Sequence, residues 1–151
     1  MRSSEKDFVD NFRQTQPKFS RLYACLLTHE GLSLAQYALL SELTAAARPL
    51  TMTELSRRLY ITKPAVTSLA DRLENNRFVR RRPHPSDRRV QLLEIQAKGL
   101  RAVKQTQDAI LKILLQSFSR FNVSGQTMIT SFYKNISSSI DALMKGTEKC
   151  N

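Results

Sequence analysis

The sequence predicts a mainly α-helical chain carrying one small β-hairpin. Three observations lead there. Apolar residues recur at helical spacing over both ends of the 151-residue chain. Capping signals at Ser33, Thr51 and Thr62 open helices in the middle. Between residues 78 and 95 the helical period gives way to two β-compatible runs around a proline-rich turn. Six helices and one hairpin result. Apolar residues make up 41% of the chain, enough for a packed core and too many for wholesale disorder.

The first helix is expected over 4–29, where Phe8, Phe12, Phe19, Leu22, Tyr23, Leu26 and Leu27 fall three, four or seven apart. Pro17 lacks an N–H and should kink or restart it near Thr15–Gln16. Gly31 ends it as a left-handed cap. Ser33 and Gln36 form a capping box for a second helix, which carries Tyr37, Leu40 and Leu43 and runs to about Ala47 before Pro49 stops it. Thr51 and Glu54 form another box, opening a short helix with Leu55 and Leu59.

Tyr60-Ile61-Thr62 then connects to a helix that Thr62 can cap. Pro64 is tolerated in its first turn, where N–H groups have no intrahelical partner. Val66, Leu69 and Leu73 are its inward stripe, and Asn75-Asn76 ends it. Phe78 to Arg82 reads as a strand, Pro83 to Asp87 as a turn, and Val90 to Ile95 as the returning strand. Helices follow over 97–121 and 125–145, separated by Asn122-Val123-Ser124-Gly125.

Two helices joined by three residues have the spacing of a helix-turn-helix. With Val66, Leu69 and Leu73 inward, Lys63, Pro64, Ala65, Thr67, Ser68 and Arg72 are left outward. Short side chains permit close approach to a major groove. Pro64, Ala65 and the Thr67 methyl suit thymine methyls. Ser68 can bond a base edge or a phosphate, and Lys63 and Arg72 supply charge.

The charge distribution agrees. The formal net charge is +11, and residues 54–89 carry +6 of it, against +1 before and +4 after. This balance favours a polyanion, nucleic acid first and an anionic membrane surface second. Six arginines, no lysine and one acid, Asp87, lie within 77–89. Such a run would repel itself without a function. Asp87 is expected to hold one neighbouring arginine while the others face outward, and an arginine at the hairpin tip can reach a narrow minor groove. The hairpin is then a wing, with Arg82, Asp87, Arg88 and Arg89 as its candidate residues.

Other classes find little support. There is no glycine-rich phosphate loop, no G-x-S-x-G and no HExxH, so an enzyme is not expected. Cys25 and Cys150 are far apart and His29 and His84 match no ligand spacing, so no metal or other cofactor is expected. The first ten residues have no apolar core of a signal peptide, and no apolar run approaches the roughly 18 residues of a membrane span. The expected location is the cytoplasm.

GLSLAQYALLSEL, then PLTMTELSRRLYITKPAVTSLADRLENNRFVRRRPHPSDRRVQLLEI, then two long helices resemble the MarR family of winged helix-turn-helix regulators. The resemblance covers nearly the whole chain. Its most specific residues are Asp71-Arg72-Leu73-Glu74 and Asp87-Arg88-Arg89. It implies three parts: a dimerisation helix over 1–31, a winged helix-turn-helix over 32–96, and dimerisation helices over 97–151. It also implies a homodimer on a near-palindromic duplex, acting as a ligand- or stress-responsive repressor. Phe8, Phe12, Ile129, Phe132, Tyr133, Ile136, Ile140 and Leu143 would form the dimer contact, and the spread of Phe132, Tyr133, Ile136, Ile140, Leu143 and Met144 over more than one narrow stripe fits that role.

Arg89 is the family-based candidate for the minor groove, with Asp87 orienting the wing and Arg88 on the backbone. The sequence leaves the order of the two arginines open. The family also implies a small aromatic or lipophilic effector or an oxidant. Cys25 is the one redox candidate, although an apolar helix implies a buried, inert thiol there. Cys150 is expected to be an exposed thiol near the terminus. Two positions depart from the family: Gln96 replaces a threonine cap after the wing, and Asn75-Asn76-Arg77 replaces a turn that normally holds glycine. The rival reading is a basic nucleic-acid-binding module with neither sequence specificity nor effector.

Overall fold

The computed structural model describes residues 2–147; Cys150 lies outside them. The chain divides into two units, Met1–Asp108 and Ala109–Asn151.

Helix α1 spans Ser3–Glu30 without interruption. The expected restart at Pro17 does not occur. The carbonyl that Pro17 cannot serve belongs to Arg13, which is exposed, so water can satisfy it and the helix has no reason to stop. Gly31 ends α1 at φ 66°, donating its N–H to the Leu27 and Thr28 carbonyls. Helix α2 covers Leu34–Ala46, and the Ser33–Gln36 capping box is formed in both directions. It is the central helix of the lobe, with Leu39, Leu40 and Leu43 buried.

Strand β1, Leu50–Thr51, was not expected from sequence. Helix α3 spans Met52–Leu59 and starts from the reciprocal Thr51–Glu54 box. The turn Tyr60-Ile61-Thr62 leads to α4, Lys63–Asn75, whose Ala65 N–H is capped by the Thr62 hydroxyl. Val66 and Leu73 are fully buried as expected; Leu69 is only partly buried, and Ala70 joins the stripe.

Strands β2, Val79–Pro83, and β3, Gln91–Ile95, form the hairpin. The sheet has three antiparallel strands in the order β1-β3-β2, with Leu50 opposite Leu93 and Val79 opposite Ile95. These inward residues join Leu55, Phe78 and Val103 in one core.

Helix α5 spans Ala97–Phe118, and among the described residues no side-chain hydrogen bond caps its start. The backbone anchors it instead: the Gln96 N–H donates to the Phe78 carbonyl at 2.9 Å. Gly99 fits over the same carbonyl, where a Cβ would lie 2.5 Å from the oxygen. Helix α5 ends three residues before the expected Phe121. Helix α6, Val123–Thr147, begins two residues before the expected start. Asn122 is the reason, because its side-chain oxygen caps the Gly125 N–H at 2.9 Å. In the second unit, α6 presents apolar side chains outward: Phe132, Tyr133, Ile136, Ile140 and Leu143 are exposed, and Ile129 is half-buried. In the first, Phe8 and Phe12 are exposed on α1.

Candidate nucleic-acid interface

All six side chains assigned outward on α4 are exposed: Lys63, Pro64, Ala65, Thr67, Ser68 and Arg72. The period of the helix accounts for this, since Val66, Ala70 and Leu73 occupy its opposite side. The Thr67 hydroxyl donates to the Lys63 carbonyl at 3.0 Å, which satisfies the oxygen internally and leaves the methyl as the outward chemistry. The Ser68 hydroxyl makes no such bond among the described residues.

Both turns that bound α4 use left-handed backbone at residues with a Cβ. Tyr60 stands at φ 54° and Arg77 at φ 62°. The position where glycine was expected is therefore held by Arg77, not by Asn76, whose φ is −92°. The conformation persists because its surroundings impose it. The Arg77 and Phe78 N–H groups close onto the Glu74 and Leu73 carbonyls, both at 2.9 Å. Lys98 donates to the Asn76 carbonyl at 3.1 Å and lies 4.2 Å from the centre of the Phe78 ring.

The six arginines of 77–89 separate into two groups: Asp87 stands beside Arg89 as expected, but Arg80, Arg81 and Arg82 are engaged by other carboxylates, which corrects the expectation that all the rest are free to face outward. Strand alternation decides which carboxylates Arg80, Arg81 and Arg82 meet. On the outer face of the hairpin, Glu94 lies directly across from Arg80 and diagonally from Arg82. It bonds the Arg80 guanidinium closely and Arg82 at 3.2 Å. The hydrogen bond from Arg80 holds the Glu94 carboxyl below the usual carboxylate range, and both arginine charges add to this effect.

Arg81 points to the inner face, opposite buried Leu93. Its N–H donates to Glu74 at 2.8 Å. Its guanidinium donates to Glu74 and to Asp71, each at 2.6 Å. Burial alone would lower the Arg81 pKa, but these carboxylates raise it above its ordinary value.

Arg77 and Arg88 have no ion-pair partner among the described residues. Arg89 is only loosely paired, with Asp87. Asp87 accepts its backbone N–H at 3.0 Å, while its guanidinium stays 3.8 Å from that carboxylate and 96% exposed. Asp87 thus fixes the backbone at the tip more than the arginine head. The Val90 N–H bonds the Asp87 carbonyl and the His84 N–H bonds the Val90 carbonyl, closing the turn.

Sequence reasoning missed the carboxylate partners of Arg80, Arg81 and Arg82. The signal was present: counting by twos from Val79 turns Arg81 inward, and Asp71 and Glu74 share one side of α4 at i and i+3.

Away from the wing, Cys25 is exposed rather than buried, because nothing in its unit covers that side of α1. No group of acidic, cysteine and histidine residues among those described is arranged to hold a metal ion. No described helix is long and apolar enough to cross a membrane.

Comparison with known proteins gives three findings. Residues 30–90 match the sequence model of the MarR family. No curated protein matches the sequence. Solved structures share the fold. The YusO protein from Bacillus subtilis is 21% identical, with 91% of this chain and 99% of that chain covered at a TM-score of 0.69. Apo MarR from E. coli is 23% identical, covering 84% and 93% at 0.67. A mutant of MepR from S. aureus bound to an oligodeoxyribonucleotide is 18% identical, covering 88% and 97% at 0.68.

Proposed function

We propose that the chain, whose residues 30–90 match the sequence model of the MarR family, is a sequence-specific reader of duplex DNA, acting as a homodimer on a near-palindromic operator. The observation that carries this reading is the pairing of one exposed, short-chained face of α4 with a wing tip bearing Arg88 and Arg89. Lys63, Pro64, Ala65, Thr67, Ser68 and Arg72 meet the major groove. Arg89 enters the minor groove from a backbone that Asp87 fixes, and Arg88 meets phosphate. Arg82, engaged by Glu94, supports the wing more than it reaches outward. The MepR mutant solved with an oligodeoxyribonucleotide supports DNA as the partner.

The homodimer is supported by the exposed apolar side chains of α1 and α6, and by a cleft of about 560 Å³ lined by Leu114, Phe118, Phe121, Ile129 and Tyr133. The reading includes a repressor role released by a small aromatic or lipophilic effector. A cleft of about 210 Å³ beside Tyr23, Leu27 and Leu32 is apolar enough for one, though smaller than the roughly 300–1,000 Å³ of ordinary ligand pockets.

Selection of bound duplexes from a random pool tests the reading. The expected result is an enriched palindrome whose half-sites lie about one helical turn, roughly 34–36 Å, apart. No enriched sequence, together with equal loss of affinity on all duplexes as salt rises, would replace it with a non-specific basic module.

A further inference from the structure

We infer that Arg81 is a positioning residue that clamps the wing to the recognition helix, so that major-groove and wing contacts act as one reader. This rests on the DNA-binding reading above. Three bonds carry the clamp. The Arg81 N–H reaches one Glu74 oxygen, and its guanidinium reaches the other Glu74 oxygen and Asp71. Asp71 and Glu74 sit one turn apart on α4, and Arg81 sits on β2, so the clamp crosses between the two DNA-contacting elements.

Its chemistry suits holding rather than reaching. A guanidinium offers planar, directional donors, and here three oxygens of two carboxylates take them and the adjoining backbone N–H. The Arg81 side chain is 26% exposed, against 96% for Arg89. The clamp also neutralises two acids on the helix that approaches the phosphates. Without it, Asp71 and Glu74 would face a polyanion unpaired, and the inner edge of β2 would lose its polar tie to α4. The wing would then remain a hairpin, joined to the lobe by β1 and by the apolar contacts of Val79 and Leu93, but free to change its angle to α4.

The test uses the full chain as wild type, Arg81→Met, Arg89→Ala and the double variant. Affinity is measured on the selected duplex and on a scrambled one. Arg81→Met should lose at least about tenfold on the selected duplex and less than about threefold on the scrambled one. The Arg89→Ala penalty should shrink in the Arg81→Met background, because a loosened wing no longer places Arg89. Equal loss on both duplexes makes Arg81 a phosphate contact and overturns the clamp. So does an unchanged Arg89→Ala penalty.

A DNA-free readout separates this from failure of the DNA-binding reading. Amide hydrogen exchange across 79–95 should rise in Arg81→Met while that of α2 stays level; no rise overturns the clamp even if duplex binding is specific. Glu74→Gln keeps the side-chain shape and removes the charge. It repeats each measurement should Arg81→Met fold poorly, and Arg81→Lys should recover part of the loss.

Discussion

The winged lobe and α6 solve the same problem in opposite ways. Between Leu34 and Ile95 each helix shares one core, and Leu39, Leu40, Leu55, Val66, Leu73 and Leu93 are inaccessible to water. The helices there are short and their starts are capped by Ser33, Thr51 and Thr62. Helix α6 is 25 residues long, yet from Val123 to Met144 only Gly125 is buried. An isolated helix gains little from propensity alone, and most helical stability comes from packing an apolar face. The lobe supplies its own packing. Helix α6, with Ile136, Ile140 and Leu143 outward, does not. The contrast teaches that one region buries its apolar residues within its own core, while the other leaves Ile136, Ile140 and Leu143 exposed, the face the proposed dimer would cover.

The largest effect should come from putting charge on that surface. Ile136→Glu with Ile140→Glu should convert the proposed dimer to monomers in sedimentation, because burying unpaired carboxylates costs several kcal/mol, roughly 3–5 each. The thermal transition of the winged lobe should persist. A dimer that survives both changes places the interface elsewhere.

Next comes the contrast between two leucines. Leu73→Ala empties a fully buried site and should cost about 2–5 kcal/mol in urea unfolding. Leu143→Ala, at a site 71% exposed, should cost within about 0.5 kcal/mol in the monomeric Glu variant. A larger loss there would mean that α6 packs within its own chain.

Arg77→Gly should raise lobe stability by about 1 kcal/mol, since glycine removes the left-handed penalty. Asn76→Gly should not, because Asn76 has ordinary φ. Melting curves of the two variants distinguish them, and equal shifts would deny the strain at Arg77.

The smallest effect is acid sensitivity. The hydrogen bond from Arg48, then that from the Thr51 backbone, lowers the Glu54 carboxyl from 4.5 to about 2. A depressed folded value gives stability that is present above 4.5 and lost as pH falls toward 2. The side chain is 32% exposed, so solvent tempers the gain. Glu54→Gln should flatten this part of the stability profile, and an unchanged slope assigns acid loss to other carboxylates.

Much of this architecture is legible in the sequence, for a physical reason. Capping boxes, the Gly31 cap and the three-residue turn are local, and local chemistry is written in adjacent residues. The exposed face of α4 followed from its stripe for the same reason. What stayed hidden was pairing across distance. Strand β1 is two residues long and shares Thr51 with a helix cap, so the cap signal covers the strand signal. The partners of Arg80, Arg81 and Arg82 lie 7 to 14 residues away, visible only once strand register is known. The Asn122 cap is hidden because Asn122 stands in a run of turn-forming residues that signals a break as strongly as a helix start. Arg77, rather than Asn76, takes the left-handed turn because the bonds to Leu73 and Glu74 set the register, which composition does not show.

The engagement of Arg80, Arg81 and Arg82 has a thermodynamic consequence for any duplex the protein meets. Each phosphate neutralised on binding releases condensed counterions, and the logarithm of affinity falls with that of salt by about 0.9 per phosphate. Formal charge counts six arginines in the wing region. Arginines already matched by Glu94, Glu74 and Asp71 neutralise few phosphates and so displace few of the duplex's counterions. If the wing works through Arg88 and Arg89 as proposed, its salt dependence is shallower than its composition suggests, and binding of that kind exchanges raw attraction for grip that outlasts a rise in ionic strength.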